Sequence, residues 1–304
     1  MTTTHPSPRR GTVEVPGRRL APSPQGDRGW RTLITLLGAA VLVLILLALG
    51  AASVSGWWLG RGYDDVPATM ELGTPDALTL STGVGDVHVV ASPEVTAVTL
   101  ALVEDGATSL PAPGTTVRAD ITRHGGAAAP VLDVRQSDGY GPVPWQDEHH
   151  DVLVLVPQGH RLALDLTADV GDIRADGEFA TLDLTSSVGD VQLDEVTVAD
   201  SVTVRADVGD VQLELGGPAP ASVDVVASVG NVEMRLPPDA EADVRIDAEL
   251  GQVEVSLPGA GRWEVEARTE LGETQVEPDV TGAPGPAVGT LTVTSELGDL
   301  LITR

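Results

Sequence analysis

Cysteine and lysine are both absent from the 304 residues. Without cysteine there are no disulfide staples, no thiol nucleophile, no thiolate metal site and no cysteine for lipid attachment. Without lysine, Schiff-base chemistry and a phosphate-loop lysine are excluded, and all 18 basic residues are arginines. Aromatics are scarce at 3%, with a single Phe. A core must therefore be assembled from Val, Leu, Ile and Ala, which favours a thin, repetitive interior.

Charge is present in quantity but unevenly. Residues 1–31 carry six Arg against Glu14 and Asp27, whereas residues 61–304 carry 12 Arg against 43 acids, a balance of −31. Between Arg31 and Arg61 there is no charge at all, and Leu33–Ala52 is an unbroken apolar run. At about 1.5 Å per helical residue, those 20 residues span roughly 30 Å, the thickness of a bilayer core. Trp30 and Trp57-Trp58 stand where interfacial aromatics belong. A cleaved signal peptide would have a shorter basic start and a shorter apolar region. The sequence therefore predicts a disordered basic cytoplasmic tail (1–31), a transmembrane helix (32–58), a linker (59–75) and an extracytoplasmic domain (76–304). The arginine excess before the span places the N-terminus in the cytoplasm, so the expected location is the cell membrane with a single pass.

The external part is repetitive. Eight segments fit one template of alternating apolar residues, a small residue, and an apolar-Gly-polar-apolar corner; "LDLTSSVGDVQL" from Leu182 and "VTVRADVGDVQL" from Val202 are two of them. The corner glycines are 85, 171, 189, 209, 230, 251, 272 and 298, the last seven spaced 18, 20, 21, 21, 21 and 26 residues apart. Such a period is the signature of stacked coils. Alternation turns Val202, Val204, Ala206 and Val208 inward; the Gly-Asp pair bends the chain, and Val211 and Leu213 resume the inward role. Glycine takes a positive φ there without steric cost.

The expected fold is all-β, a right-handed, single-stranded parallel β-solenoid of about 20 residues per coil, with an irregular N-terminal β cap (76–157) before regular coils (158–304). If Gly-Asp closed two-residue hairpins instead, an antiparallel meander or sandwich would result. "VTAVTLAL", "TTVRADITR", "PVLDVRQS" and "DVLVLVP" read as the strands of the cap, at the membrane-side end of the stack. The final unit closes the other end, leaving that edge for a partner to cover.

The Gly-Asp-Val corners, together with "VLVLVPQGHRLALDLTADVGDIRA" (Val152 to Ala175) and the single anchor, resemble the "putative adhesin" or toastrack family of bacterial membrane-anchored envelope proteins, a domain of unknown function. The resemblance covers roughly residues 76–304 and implies a non-enzymatic binding, adhesion or scaffolding surface at the cell envelope. The alternatives are an envelope-stress sensor or regulatory subunit and, further off, a carbohydrate-active enzyme.

No residue is assigned to catalysis, to a cofactor or to a metal. Asp172, Asp190 and Asp210 form a corner ladder that could attract calcium, but the ladder loses its charge at Asn231 and Gln252, and the role expected for Asp is to make the turn. In "WQDEHHD" (Trp145 to Asp151), His149 and His150 would point to opposite sides of an extended segment, so an exposed polar loop is expected. His5, His88, His124 and His160 are scattered. The acidic exterior repels nucleic acid; the partners expected besides the membrane are cell-wall glycan or an envelope protein.

Overall fold

The computed structural model describes residues 63–136 and 149–304, all within the unit Ser55–Arg304. The tail, the apolar span and the linker up to residue 62 lie outside the described residues. Among those described, no helix is long and apolar enough to cross a membrane.

The chain is all-β. The strands are β1 (Asp64–Pro67), β2 (Thr69–Gly73), β3 (Ala77–Val84), β4 (Val87–Ser92), β5 (Val98–Val103), β6 (Thr116–Gly126), β7 (Ala129–Gln136), β8 (Asp151–Pro157), β9 (Leu162–Val170) and β10 (Ile173–Ala175). They continue as β11 (Glu178–Val188), β12 (Val191–Val208), β13 (Val211–Leu215), β14 (Ser222–Val229), β15 (Val232–Arg235), β16 (Asp243–Leu250), β17 (Val253–Ser256), β18 (Arg262–Leu271) and β19 (Thr274–Val276). A short helix α1 (Pro278–Gly282) then precedes β20 (Ala287–Leu297) and β21 (Leu300–Thr303).

Each glycine corner joins a strand on one face to a strand on the other, and successive coils pair parallel and in register. On the first face β9, β11, the second half of β12, β14 and β16 follow one another. On the second face β10, the first half of β12, β13, β15 and β17 do the same. The two strands flanking a corner are not partners of each other, so the antiparallel hairpin alternative does not describe these coils. Antiparallel pairing is confined to the N-terminal strands, β1 with β6, β6 with β7, β2 with β5, and β5 with β8.

In-register stacking turns the template into columns. Leu166, Leu184, Val204, Val225, Ile246 and Val293 form one interior file, all fully buried. Burial of each such side chain contributes about 1.5–3 kcal/mol. The small-residue column runs Thr82, Ala168, Ser186, Ala206, Ala227, Ala248, Ser295 and Thr269. Phe179, the one phenylalanine, is buried.

Two features differ from the sequence reading. The irregular cap does not extend from 76 to 157, because β3 and β4 form a coil of the column, paired parallel with β9 and β10. On its other side this coil carries β7 and β8, also parallel. The far end is likewise not closed by the final unit. Strands β20 and β21 pair with β16 and β17 on one side and with β18 and β19 on the other, so the exposed edge is the preceding coil. Its columns are accordingly only half-covered at Val265, Ala267 and Val276. Trp263 and Val280 of α1 are buried there. Arg304 fixes the arrangement: its backbone N–H donates to Glu277 (2.9 Å) and its guanidinium to the carbonyls of Gly259, Gly261 and Asp279.

Candidate functional site

The corner is where the repeat spends its most constrained residues. The seven corner glycines from Gly171 to Gly298 have φ between +137° and +153°, a region that side chains disfavour. Space is equally restrictive. A Cβ on Gly189, Gly209, Gly230 or Gly251 would overlap the carbonyl oxygen of the corner glycine in the coil before it. Gly209 N–H donates to Val229 O and Val211 N–H to Asn231 O, so the ladder passes through the bend unbroken.

At six of the corners the residue after the glycine caps its neighbour. Asp86 Oδ1 accepts the backbone N–H of Asp172 (2.9 Å), Asp172 that of Asp190 (2.9 Å), Asp190 that of Asp210 (2.8 Å) and Asp210 that of Asn231 (2.7 Å). Asn231 Oδ1 does the same for Gln252 (3.0 Å), and Asp299 for Glu273 (2.8 Å). One side-chain oxygen per rung suffices for this, which is why Asn can replace Asp. The acids sequence reading placed in a ladder are brought together as amide acceptors, with Arg174 bridging Asp86 (3.3 Å) and Asp172 (2.8 Å).

The residue before each glycine departs from expectation. Alternation placed Val208 inside, but Val170, Val188, Val208, Val229, Leu250, Leu297 and Leu271 are 45–67% exposed. The strand turns outward one residue before the bend, so Asp207 and Val208 both face solvent. Register stacks these side chains into a single file along the column. At about 4.8 Å per coil the seven-rung ridge is roughly 29 Å long. Exposed acids lie on both sides of it: Asp169, Asp207, Glu249, Glu296 and Glu270 before, and Asp190, Asp210, Asp299 and Glu273 after. The file is thus an exposed apolar strip with a largely polar rim. The sequence signal for it was present in the template, as an apolar residue touching the glycine, but alternation alone assigns it the wrong side.

Among the described residues, two carboxylates depart from their ordinary pKa. Burial, and then the charge of Asp183 in the next coil, raise that of Asp165. For Asp247, burial pushes upward but is outweighed by the Thr294 hydroxyl and Arg245, and the net direction is down. The remaining candidates are dispersed: His124 is exposed on β6, and His160 Nε2 lies 2.8 Å from Pro75 O. Of "WQDEHHD", residues 145–148 lie outside the described residues. His150 is held through its backbone by Gln136, and Asp151 takes the corner position of the β7/β8 coil, its Oδ1 accepting Asp86 N–H at 3.1 Å.

These features define a repeat protein whose coils are locked at a glycine-carboxylate corner. Residues 163–303 match the family described as Toastrack DUF4097. The coil of β3 and β4 precedes the matched region but obeys the same corner rule. Similar solved structures include a "putative adhesin" from Bacteroides fragilis NCTC 9343, 13% identical, with a TM-score of 0.42, covering 80% of this chain and 98% of its own. A "putative cell adhesion protein" from Clostridium sporogenes ATCC 15579 is also 13% identical, with a TM-score of 0.31 and coverage of 79% and 99%. No curated protein matches the chain.

Proposed function

We propose that the chain is a non-enzymatic, single-pass membrane protein that holds its toastrack column outside the cytoplasm of a bacterial cell as a binding or scaffolding surface. The observation that carries this reading is the ridge: an aliphatic file exposed along seven coils of the column, with acids on both flanks. Stacking rung on rung covers about half of each side chain, and the other half is left as a strip of apolar surface open to a partner. Its chemistry suits an envelope protein that presents an apolar strip edged with arginine or lysine. The apolar run Leu33–Ala52 and the arginines before it support the anchor and its direction.

The cysteine-free chain makes the topology directly testable. With one cysteine at Thr3 or at exposed Glu233, a membrane-impermeant maleimide on intact cells is expected to label Glu233→Cys alone and Thr3→Cys only after lysis; the reverse pattern would remove the anchor reading. For the surface, a photo-crosslinking residue at Asp190, beside the ridge, is expected to capture a partner in living cells. That capture disappears in the Val208→Glu/Val229→Glu variant and is absent when the crosslinker stands at Asp183 on the sheet face. Capture that survives the ridge substitutions contradicts the proposal.

A further inference from the structure

The N-terminal coils gather three side chains that no other coil brings together. Asp86 and His88 flank Val87 on β4 and therefore leave the sheet on the same side. Strand β8 stacks on β4 with Val152 opposite Val87. This sets Asp151 over Asp86 as the next rung of the corner ladder. In the coils below, the position of His88 is filled by Arg174, Gln192, Gln212 and Glu233, none of them buried. Of these five side chains only His88 is enclosed, at 9% exposure. The cause is local: the chain after β5 folds over this face, with Gly106 N–H donating to Asp151 Oδ2 (2.7 Å). Nearby, the outer sides of β5 and β8 are covered by Val90, Val95 and Ala107.

The enclosure leaves His88 Nε2 without a hydrogen-bond partner and shut off from solvent. It faces Asp151 Oδ2 at 3.8 Å, too far for a hydrogen bond. One ligand atom from each of Asp86, His88 and Asp151 lies within 4.8 Å of the others. We propose that these three residues bind a divalent first-row transition metal. Ligands at about 2.0–2.2 Å around a tetrahedral zinc stand roughly 3.3 Å apart, so the group must close by about 1.5 Å at its widest, within the reach of side-chain rotation.

The donor set selects the ion. An imidazole nitrogen with two carboxylates suits zinc and its neighbours, whereas calcium and magnesium take oxygen ligands. Both carboxylates are already oriented by backbone donors: Asp151 by Asp86 N–H (3.1 Å) and Gly106 N–H, and Asp86 by Asp172 N–H (2.9 Å). Outer hydrogen bonds of this kind fix metal ligands in place. A solvent-open cavity of about 620 Å³ is lined by Asp86 and Asp151, though not by His88, and gives the ion a way to the carboxylates and room for water ligands. Arg174, 3.3 Å from Asp86 Oδ2, is the built-in competitor. It also pairs with Asp172 at 2.8 Å, to which it can withdraw.

The test is zinc titration of the full-length, untagged chain in detergent after chelator treatment, with thermal melts in parallel. One zinc per chain is expected, with a raised melting temperature, and calcium and magnesium are expected to leave both readings unchanged. His88→Gln and Asp151→Asn each weaken binding at least tenfold while retaining the β-sheet circular dichroism signal. Arg174→Gln tightens it severalfold, a change of sign that damage to the fold would not produce. The proposal is overturned if zinc fails to bind, if it binds equally to His88→Gln, if it is lost instead on replacing His149 and His150, or if calcium binds as tightly.

Discussion

The middle of the column and its two ends are built of the same stacked coils yet differ in how the chain travels. From β9 to β17 the order in sequence is the order in space, each coil resting on the one before. At either end one level is stepped over and filled from elsewhere: β3/β4 lies between β7/β8 and β9/β10, and β20/β21 between β16/β17 and β18/β19. The template therefore specifies a coil but not its neighbour, which the connections decide. The arrangement also shields the C-terminal strand, which would otherwise be a fraying edge. The edge coil β18/β19 is instead held by the chain on both sides.

The contrast can be broken at the glycines first. Gly209→Ala places a Cβ against Gly189 O at an unfavourable φ inside the stack. A loss of about 3 kcal/mol or more is expected in denaturant melts. Gly272→Ala meets the same obstacle in the edge coil, which can move away, and is expected to cost clearly less. Next comes the interior file: Leu184→Ala, at a fully buried position, costs about 2–5 kcal/mol, whereas Val276→Ala in the half-covered edge coil costs about 1 kcal/mol or less. The carboxylate rung is smaller again. Asp210→Ala leaves Asn231 N–H without its acceptor and costs about 1 kcal/mol, while Asp210→Asn keeps the acceptor, removes a like charge and is expected to be neutral or stabilising.

The smallest effects are titrations with opposite signs. Asp247, whose pKa is lowered, contributes stability above its unfolded pKa of 3.8 that is lost as pH falls through its folded value. Asp247→Asn should therefore melt below the parent at pH 7, the gap closing in acid. Asp165, whose pKa is raised, favours the fold when protonated; the contribution is complete below 3.8 and lost as pH rises through the folded value. Asp165→Asn should accordingly melt slightly above the parent at pH 7, and this difference too should vanish in acid.

How much of this was legible depended on what each residue had to say locally. Glycine, the small residue and the period were readable because φ, crowding and stacking each constrain a residue type at a fixed place. Val208 was misread because an apolar side chain beside a bend fits either face, and only the shape of the bend decides. The exchanged coils left no mark beyond the 26-residue interval before Gly298, since a coil carries the same template wherever it stacks. His88 was invisible as part of a cluster because its enclosure comes from Gly106 and its neighbours, and its companion Asp151 lies 63 positions away.

The stacking order itself can be read by disulfide formation, since the chain has no native cysteine to interfere. Ridge residues in adjacent coils are in register, and strands about 4.8 Å apart lie within disulfide reach, whereas coils two levels apart do not. Under mild oxidation, cysteine pairs at Leu250/Leu297 and at Leu297/Leu271 are expected to crosslink and the pair at Leu250/Leu271 to remain reduced. Rapid crosslinking of Leu250/Leu271 with none at Leu250/Leu297 would mean that the coils stack in sequence order and that the account of the column is wrong.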